Sequence, residues 1–84
     1  MADPLWAVYM VRTSRGSLYT GISTDPVRRV YEHNHTKKGA KALRGQRPVR
    51  LVWQHPVLLD KGDALRLEAK IKRMTKAAKE KLVG

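Results

Sequence analysis

The sequence feature that most constrains the fold is a pair of short apolar segments separated by a turn. Residues 6–12 and 18–23 are the two segments, and the polar stretch between them contains a glycine. This pattern predicts the two strands of a β-hairpin. We expect residues 14–16 to form its three-residue loop, with Gly16 in the left-handed conformation that such a loop favours.

The register of this hairpin follows from its loop. If Thr13 pairs with Ser17, then Tyr9 lies opposite Gly21 and diagonal to Tyr19, on one face of the sheet. A glycine across from a tyrosine leaves space beside the ring, so two phenols converge on an open position. Strands also favour tyrosines for packing alone, and the spacing of later residues decides between the two interpretations.

One helix and one strand are predicted next. Thr24 or Asp25 can cap a helix that begins at Pro26 and ends near residue 35. A third strand covers residues 49–55 between two prolines, which cannot donate to a strand ladder. Alternation along this strand places three large side chains on one face, namely Val49, Leu51 and Trp53.

Two more helices complete the pattern. The first runs from residue 62 or 63 to 74, with Asp60 as a candidate cap, and the second runs from 76 to about 82 after Thr75. The element order is then β-β-α-β-α-α. We expect one α+β (α/β) domain over residues 1–84, built on a small three-stranded antiparallel sheet flanked by helices.

The first helix carries an arginine and a histidine one helical turn apart. Arg29 and His33 are four residues apart, so both project toward the tyrosines from one side of the helix. Each alone is more simply a surface residue, but the spacing behind two tyrosines favours a site. Arg28 and Glu32 are expected to form an ordinary ion pair. The stripe expected to face the sheet consists of Val27, Val30, Tyr31 and Asn34.

The charge of the chain indicates its kind of partner. Eighteen Lys and Arg against seven Asp and Glu give a net charge of +11, spread along the sequence. Such a chain favours a polyanion, whose phosphates lose counterions on binding. The sequence contains no long apolar run of the kind that would favour a membrane partner. The residues expected to contact nucleic acid are Lys37, Lys38, Lys41, Arg44, Arg47 and Lys72.

Most of these cations lie in one loop, residues 36–48. Without an aliphatic stripe, the segment predicts a flexible loop containing Gly39 and Gly45 rather than a helix. Such a loop can follow a phosphate backbone. For the lysine-rich last helices, a solvated charged surface explains the pattern as well as contact with a substrate does.

A single carboxylate in the next helix borders apolar positions. Glu68 lies four residues after Ala64, one after Leu67 and three before Ile71. A carboxylate on or beside a buried stripe is costly unless a cation or a metal ion meets it. The two explanations are a metal site and an exposed ion pair with Lys72, one helical turn later.

The absence of cysteine and the composition of the first residues bear on the cellular location of the protein. The chain has no cysteine, which excludes disulfides and thiolate metal sites. Residues 1–4 lack the basic stretch and apolar core of a secretory signal. We therefore expect an intracellular, cytoplasmic protein.

Together these residues resemble a known family. The chain is similar, over nearly its whole length, to the GIY-YIG nuclease domain, through Tyr9, Tyr19-x-Gly21, Arg29, His33 and the helical Glu68. The run 35–41 and the residues around Glu68 look like those of small stand-alone bacterial members. Ala7-Val8 and Thr20 replace letters of the family name without changing a reactive group, and Leu43 replaces an expected hydroxyl or aromatic residue.

The resemblance implies roles for four side chains. Tyr9 or Tyr19 activates or orients the attacking water, and a phenol can act as a base if nearby cations lower its pKa. Arg29 stabilises the transition state with its fixed donors. His33 assists proton transfer or phosphate placement.

The resemblance also implies a metal and two supporting residues. Glu68 holds a single divalent cation, Mg²⁺ or Mn²⁺. Gly21 keeps the site open, and Asn34 supports it by hydrogen bonding.

The implied activity is that of a metal-dependent endonuclease. We expect it to cut DNA, or RNA, one strand at a time, because one catalytic set cannot cut both strands without dimerising or rebinding. Single-stranded or branched DNA in repair or recombination is the expected substrate. The alternatives are a non-catalytic basic nucleic-acid-binding module with the same fold, and a basic adaptor for other proteins.

Overall fold

The computed structural model describes residues 3–84, and that range contains three strands, three α-helices and one 3-10 helix. Met1 and Ala2, part of the stretch considered for a secretory signal, lie outside the described residues. The elements are β1 (Ala7–Arg12), β2 (Leu18–Ser23), α1 (Pro26–His35), the 3-10 helix (Lys41–Gln46), β3 (Arg50–Gln54), α2 (Lys61–Lys72) and α3 (Lys76–Val83). The predicted fold class and element order are confirmed.

The strands form one antiparallel sheet in the order β2-β1-β3. At the hairpin, the backbone N–H of Thr13 donates to the carbonyl of Ser17 at 2.9 Å, and Gly16 has the predicted left-handed φ of +83°. The register pairs Tyr9 with Gly21, as the loop predicts. The first strand in the chain is therefore the central strand of the sheet.

Helices cover both faces of the sheet, which buries β1 almost completely. On one face, Val8 and Met10 pack against apolar side chains of α2 and α3. On the other face, Tyr9 and Val11 pack against α1 and the 3-10 helix. Tyr9 thus lies in the layer between the sheet and α1.

β3 departs from the predicted alternation through a β-bulge. Met10 pairs with Trp53, whereas the next residue of β1, Val11, pairs with Leu51. Since neighbouring residues of β1 point to opposite faces, Trp53 lies on the face of α2 and Leu51 on the face of α1. The expectation that both share a face with Val49 is wrong for Trp53. Strict alternation cannot reveal an inserted residue.

α1 is rotated relative to its predicted stripe. Asp25 caps the helix before Pro26, as expected, but Val27 and Tyr31 are 73% and 61% exposed, whereas His33 is 1% exposed. The expectation that Val27 and Tyr31 face the sheet is therefore wrong, and the buried face is centred on His33.

A polar contact accounts for part of this rotation. The side-chain amide of Asn34 donates to the carbonyl of Val49 at 2.8 Å and accepts the Val49 N–H at 2.7 Å. These two bonds attach α1 to the chain just before β3. Asn34 was expected to support the site by hydrogen bonding, and neither of these bonds involves a candidate catalytic residue.

The basic loop contains a short helix that its composition argues against. The 3-10 helix spans Lys41–Gln46, and Leu43 within it is 1% exposed. Leu43 packs beside Tyr9 and Val11, so one apolar side chain anchors the segment. The expectation of an irregular loop is wrong here, because a short 3-10 helix needs no apolar stripe.

The last two helices are capped by Asp60 and Thr75, as predicted, through side-chain oxygens that accept backbone N–H groups at 2.8 and 3.1 Å. The guanidinium of Arg12 donates to both carboxylate oxygens of Glu80, at 2.7 and 2.9 Å. This bond attaches α3 to the hairpin and holds the pKa of Glu80 below its ordinary value. Among the described residues, no helix is both long and apolar enough to cross a membrane.

Replacing Leu43 with alanine should lower the free energy of unfolding by about 2–5 kcal/mol, because it removes a packed side chain and leaves a cavity. Leu65 is the matched control, since it is exposed on α2, and Leu65→Ala should change that free energy by less than about 0.5 kcal/mol. Urea denaturation followed by circular dichroism measures both. An equal loss of unfolding free energy in Leu43→Ala and Leu65→Ala would contradict the described packing of Leu43.

Candidate active site

The hydroxyl of Tyr9 fills the space that Gly21 leaves. A Cβ atom at position 21 would lie 2.7 Å from Tyr9 Oη and 2.9 Å from its Cζ. These separations are shorter than real contacts allow, so any side chain at position 21 would displace the phenol. We expected Gly21 to keep an open position beside the ring; instead it allows the phenol itself to lie against β2.

The Tyr9 hydroxyl is hydrogen-bonded to buried His33. Tyr9 Oη and His33 Nε2 are 2.9 Å apart, and the backbone N–H of Ala40 donates to His33 Nδ1 at 3.0 Å. A ring nitrogen that accepts a hydrogen bond carries no proton. The geometry therefore assigns His33 to the neutral form with its proton on Nε2, which donates to Tyr9.

Gly39 makes the contact with Ala40 possible. A Cβ atom at position 39 would lie 2.7 Å from the Cα of His33 and 2.8 Å from the carbonyl oxygen of Glu32. The loop backbone thus packs directly on α1 and brings the next amide to the imidazole. Gly39 was expected to give the loop flexibility, and Ala40 was not expected in the site, because a backbone donor leaves no side-chain signal.

Burial and nearby cations act in the same direction on His33. Burial lowers the pKa of this imidazole, Arg29 and Arg47 lower it further, and Glu32 opposes them. His33 is therefore neutral at pH 7. With both ring nitrogens engaged, the geometry favours a positioning role over the proton transfer expected from the resemblance.

Arg29 lies at the rim of this buried pair. Its Nη1 donates to Glu32 Oε1 at 3.1 Å and to the carbonyl of Lys38 at 2.7 Å. The expected ion pair between Arg28 and Glu32 is wrong, because Glu32 binds Arg29 instead. These contacts hold the guanidinium near the phenols, where its positive charge favours the ionised form of Tyr9.

Tyr9 is a neutral phenol in this environment. Burial raises its pKa to about 12, the adjacent Tyr19 adds to that rise, and Arg29 opposes it. A phenol that acts as a base at neutral pH needs a lowered pKa. Tyr9 is therefore suited to donating its hydroxyl proton, since its oxygen already accepts a hydrogen bond from His33.

Lys72 lies near both Glu68 of α2 and the ring of Tyr19, and so links Glu68 to the pair of Tyr9 and His33. The Tyr19 ring packs edge-on against His33, with centroids 5.8 Å apart. Lys72 Nζ lies 6.0 Å from the Tyr19 centroid and 3.4 Å from Glu68 Oε2. The Glu68 side chain is only 18% exposed, and its charge contributes to the raised pKa of Tyr9. The ion pair with Lys72 that was offered as one explanation for Glu68 is therefore present, although its carboxylate is more buried than an exposed pair would be.

The donor set around Glu68 restricts which metal could bind. Within residues 3–84 there is no group of three or more His, Asp or Glu side chains arranged to enclose a metal ion. Mg²⁺ does not require one, because it retains several waters and binds through one or two carboxylates together with substrate phosphates. The half-buried Glu68 carboxylate fits a hydrated Mg²⁺ or Mn²⁺ and does not fit a zinc centre.

The residues expected to contact nucleic acid fall into two groups. Arg47 is half-buried, and its Nη2 donates to the carbonyl of Thr36 at 2.8 Å, so it serves the loop structure. Arg44 is exposed but also donates to the carbonyl of Lys37, at 3.2 Å. The second group consists of exposed lysines that were expected to contact nucleic acid, namely Lys37, Lys38, Lys41 and Lys72.

A profile of the GIY-YIG catalytic domain matches residues 5–81. The chain therefore belongs to the GIY-YIG family. The match covers every element that contributes to the cluster of Tyr9, Tyr19, Arg29, His33 and Glu68.

Similar proteins are small bacterial proteins named UPF0213. One from Aeromonas salmonicida strain A449 is 56% identical over 78 residues, which are 93% of this chain and 56% of that protein. One from Yersinia pestis strain Pestoides F is 49% identical over 83 residues, 99% of this chain and 85% of that protein. The chain thus spans little more than half the length of its Aeromonas relatives.

A solved structure has the same fold. The solution NMR structure of a UPF0213 protein from Bacillus halodurans is 41% identical, with a TM-score of 0.53, over 94% of this chain and 82% of that one. The similarity confirms the three-stranded sheet with its helices and the resemblance noted from the sequence.

The neutral state of His33 should make stability depend on pH. Its folded-state pKa lies below the unfolded value of about 6.5, so the unfolded chain binds more protons near that pH. The free energy of unfolding should therefore fall as the pH drops from about 7 to 5. Urea midpoints across this range measure the effect.

The exposed His35 provides the matched control. His33→Gln should flatten the pH dependence between about pH 7 and 5, whereas His35→Gln should preserve it. A wild-type profile that is flat in this window would contradict the assigned state of His33.

Proposed function

We propose that this chain is a metal-dependent endonuclease that hydrolyses phosphodiester bonds, one nucleic-acid strand at a time. The observation that supports the proposal is the proximity of five side chains from β1, β2, α1 and α2: both tyrosines contact the histidine, and the charges of the arginine and the glutamate act on the buried phenol. Those side chains are Tyr9, Tyr19, Arg29, His33 and Glu68. The GIY-YIG catalytic domain supports a nuclease-like activity, and the following roles are our own assignment.

Glu68 is the proposed metal-binding residue. A divalent cation, Mg²⁺ or Mn²⁺, supplies positive charge that stabilises the phosphate and the departing oxygen. In the structure, the ammonium of Lys72 offsets the negative charge of Glu68. When the carboxylate has a metal partner, the half-exposed ammonium of Lys72 is free to contact a substrate phosphate.

Arg29 is proposed to stabilise the transition state. Glu32 and the carbonyl of Lys38 hold its Nη1, and the guanidinium also lies close enough to Tyr9 to oppose the burial that raises the pKa of that phenol. Its remaining N–H groups can therefore donate to the nonbridging oxygens of the phosphate that is attacked. The contacts to α1 and the loop orient the guanidinium before substrate binds.

The two tyrosines are proposed to divide the handling of the attacking water. Tyr9, neutral and held by His33, donates its hydroxyl proton to the water or to a phosphate oxygen and so orients the attack. Tyr19, at the half-buried rim, is the candidate base for the proton that the water loses as it attacks phosphorus. It can take up that proton only as a phenolate, a form that a divalent cation bound nearby would favour. His33 acts as a positioning residue through Tyr9.

The substrate we propose is single-stranded or branched DNA, with RNA as the other nucleic acid the surface can accommodate. One catalytic set per chain cuts one strand. The exposed lysines near the site can contact phosphates without reading base sequence. Repair or recombination in the cytoplasm is the process in which such an activity would serve.

The Glu68–Lys72 ion pair favours a second candidate function. If the ammonium satisfies Glu68 permanently, the chain is a basic nucleic-acid-binding module without catalysis. This alternative predicts tight, salt-sensitive binding and no effect of Glu68 on the fate of the nucleic acid.

Single-turnover cleavage separates the two functions. With Mg²⁺ or Mn²⁺, the wild type should cleave labelled single-stranded or branched DNA. Glu68→Gln and Tyr19→Phe should each lower the rate about 100-fold or more, because each removes a group that acts at the reacting phosphate. Binding of the same DNA, measured in parallel without metal, should persist in both variants.

Asp63→Asn is the matched control for Glu68→Gln. Asp63 is an exposed carboxylate on the same helix, and its loss should leave cleavage unchanged. Cleavage by Glu68→Gln at the wild-type rate would reject the assigned site. Binding without cleavage of single-stranded, branched and nicked DNA by the wild type would support the non-catalytic module instead.

A further inference from the structure

The outer face of α1 presents an aromatic pair to solvent. The rings of Tyr31 and His35 lie with centroids 4.6 Å apart and planes tilted by 39°. Both residues are exposed, and Tyr31 is among the most exposed large side chains of the described chain. This face points away from His33 and the cluster of candidate catalytic residues.

Packing within the chain does not explain this pair. The amphipathic pattern places Tyr31 against the sheet, but the rotation of α1 leaves it on the surface together with Val27. An exposed aromatic ring gains little from burial. With 61% of its surface exposed, Tyr31 leaves part of its ring available to a ligand beside the His35 ring.

The charges around the pair favour an anionic partner. Arg28 lies one helical turn before Tyr31 and is exposed, and the exposed Lys37 follows the end of α1. The acidic residue of the helix, Glu32, is paired with Arg29. Positive groups therefore border the aromatic pair on both sides along the helix.

An aromatic surface bordered by cations is suited to single-stranded nucleic acid. Such strands present unstacked bases, which stack on aromatic side chains, and phosphates, which contact Lys and Arg. A duplex hides the faces of its bases and offers only its phosphates. The chemistry thus favours a strand with exposed bases over a duplex.

We propose that Tyr31 and His35 form a stacking subsite for a nucleobase of single-stranded nucleic acid, outside the catalytic cluster. Arg29 and His33 lie on the inner side of α1, so the subsite is about one helix diameter away, roughly 10 Å. A strand that leaves the site past Arg29 can cross α1 to reach it. The proposal rests on the proposed function, because both require a nucleic-acid ligand.

Fluorescence anisotropy with a labelled oligonucleotide, without metal so that no cleavage occurs, tests the subsite. Tyr31→Ala should weaken binding of a single-stranded oligonucleotide about 5- to 100-fold, whereas Tyr31→Phe, which keeps the aromatic face, should bind like the wild type. The salt dependence of binding should be the same in all three proteins, since no phosphate contact is removed.

Two controls separate stacking from general damage. Val27→Ala changes an exposed neighbour on the same helix and should leave binding unchanged. With an oligonucleotide of abasic sites, wild type and Tyr31→Ala should bind equally, because there is no base to stack. Equal thermal unfolding of the variants shows that they are folded.

The outcomes distinguish this proposal from the proposed function. If Tyr31→Ala binds the single strand as tightly as the wild type, the subsite is rejected while the endonuclease proposal stands. If the variant loses equal affinity for the abasic strand, stacking is likewise rejected. If the wild type binds no nucleic acid, both proposals fail, and the exposed pair serves a protein partner instead.

Discussion

The hydrogen bond between Tyr9 and His33 is the contact on which the rest of the candidate site depends. It requires close approaches at two glycines, because Gly21 makes room for the phenol and Gly39 lets the loop backbone lie against α1. The amide of Ala40 then occupies His33 Nδ1 and leaves the Nε2 proton for Tyr9. The phenol is thus oriented before substrate binds, and such preorganisation is the main way in which enzymes stabilise developing charge.

This arrangement separates neutral groups from charged ones. The buried pair, Tyr9 and His33, is uncharged at neutral pH, so it does not incur the cost of placing ions inside a small core. The charged groups, Arg29, Glu68 and Lys72, lie half-exposed at the rim, where they can meet a phosphate and a cation. A chain of 84 residues with a limited core can accommodate a reactive site in this way.

Local signals in the sequence predict the elements well, and tertiary polar contacts account for what they miss. The loop around Gly16 sets the hairpin register, which correctly places Tyr9 opposite Gly21. The rotation of α1 was not predicted, since it depends on the bonds of Asn34 to a backbone group 15 residues away and on the burial of a histidine. The bulge in β3 also lacks a local signal. Spacing and family resemblance suggest the five side chains of the candidate site, but not the backbone amide of Ala40 that orients one of them.

The protonation state of His33 tests this account most directly. A long-range nitrogen–proton NMR spectrum of the imidazole distinguishes a proton on Nε2 from a proton on Nδ1. We expect a neutral ring at pH 7 protonated on Nε2, with the nitrogen shift of Nδ1 typical of an acceptor. In Gly21→Ala, where the phenol is displaced, the Nε2 proton should lose its hydrogen-bonded shift. A ring protonated on Nδ1, or a charged imidazolium at pH 7, would contradict the arrangement from which the proposed chemistry is built.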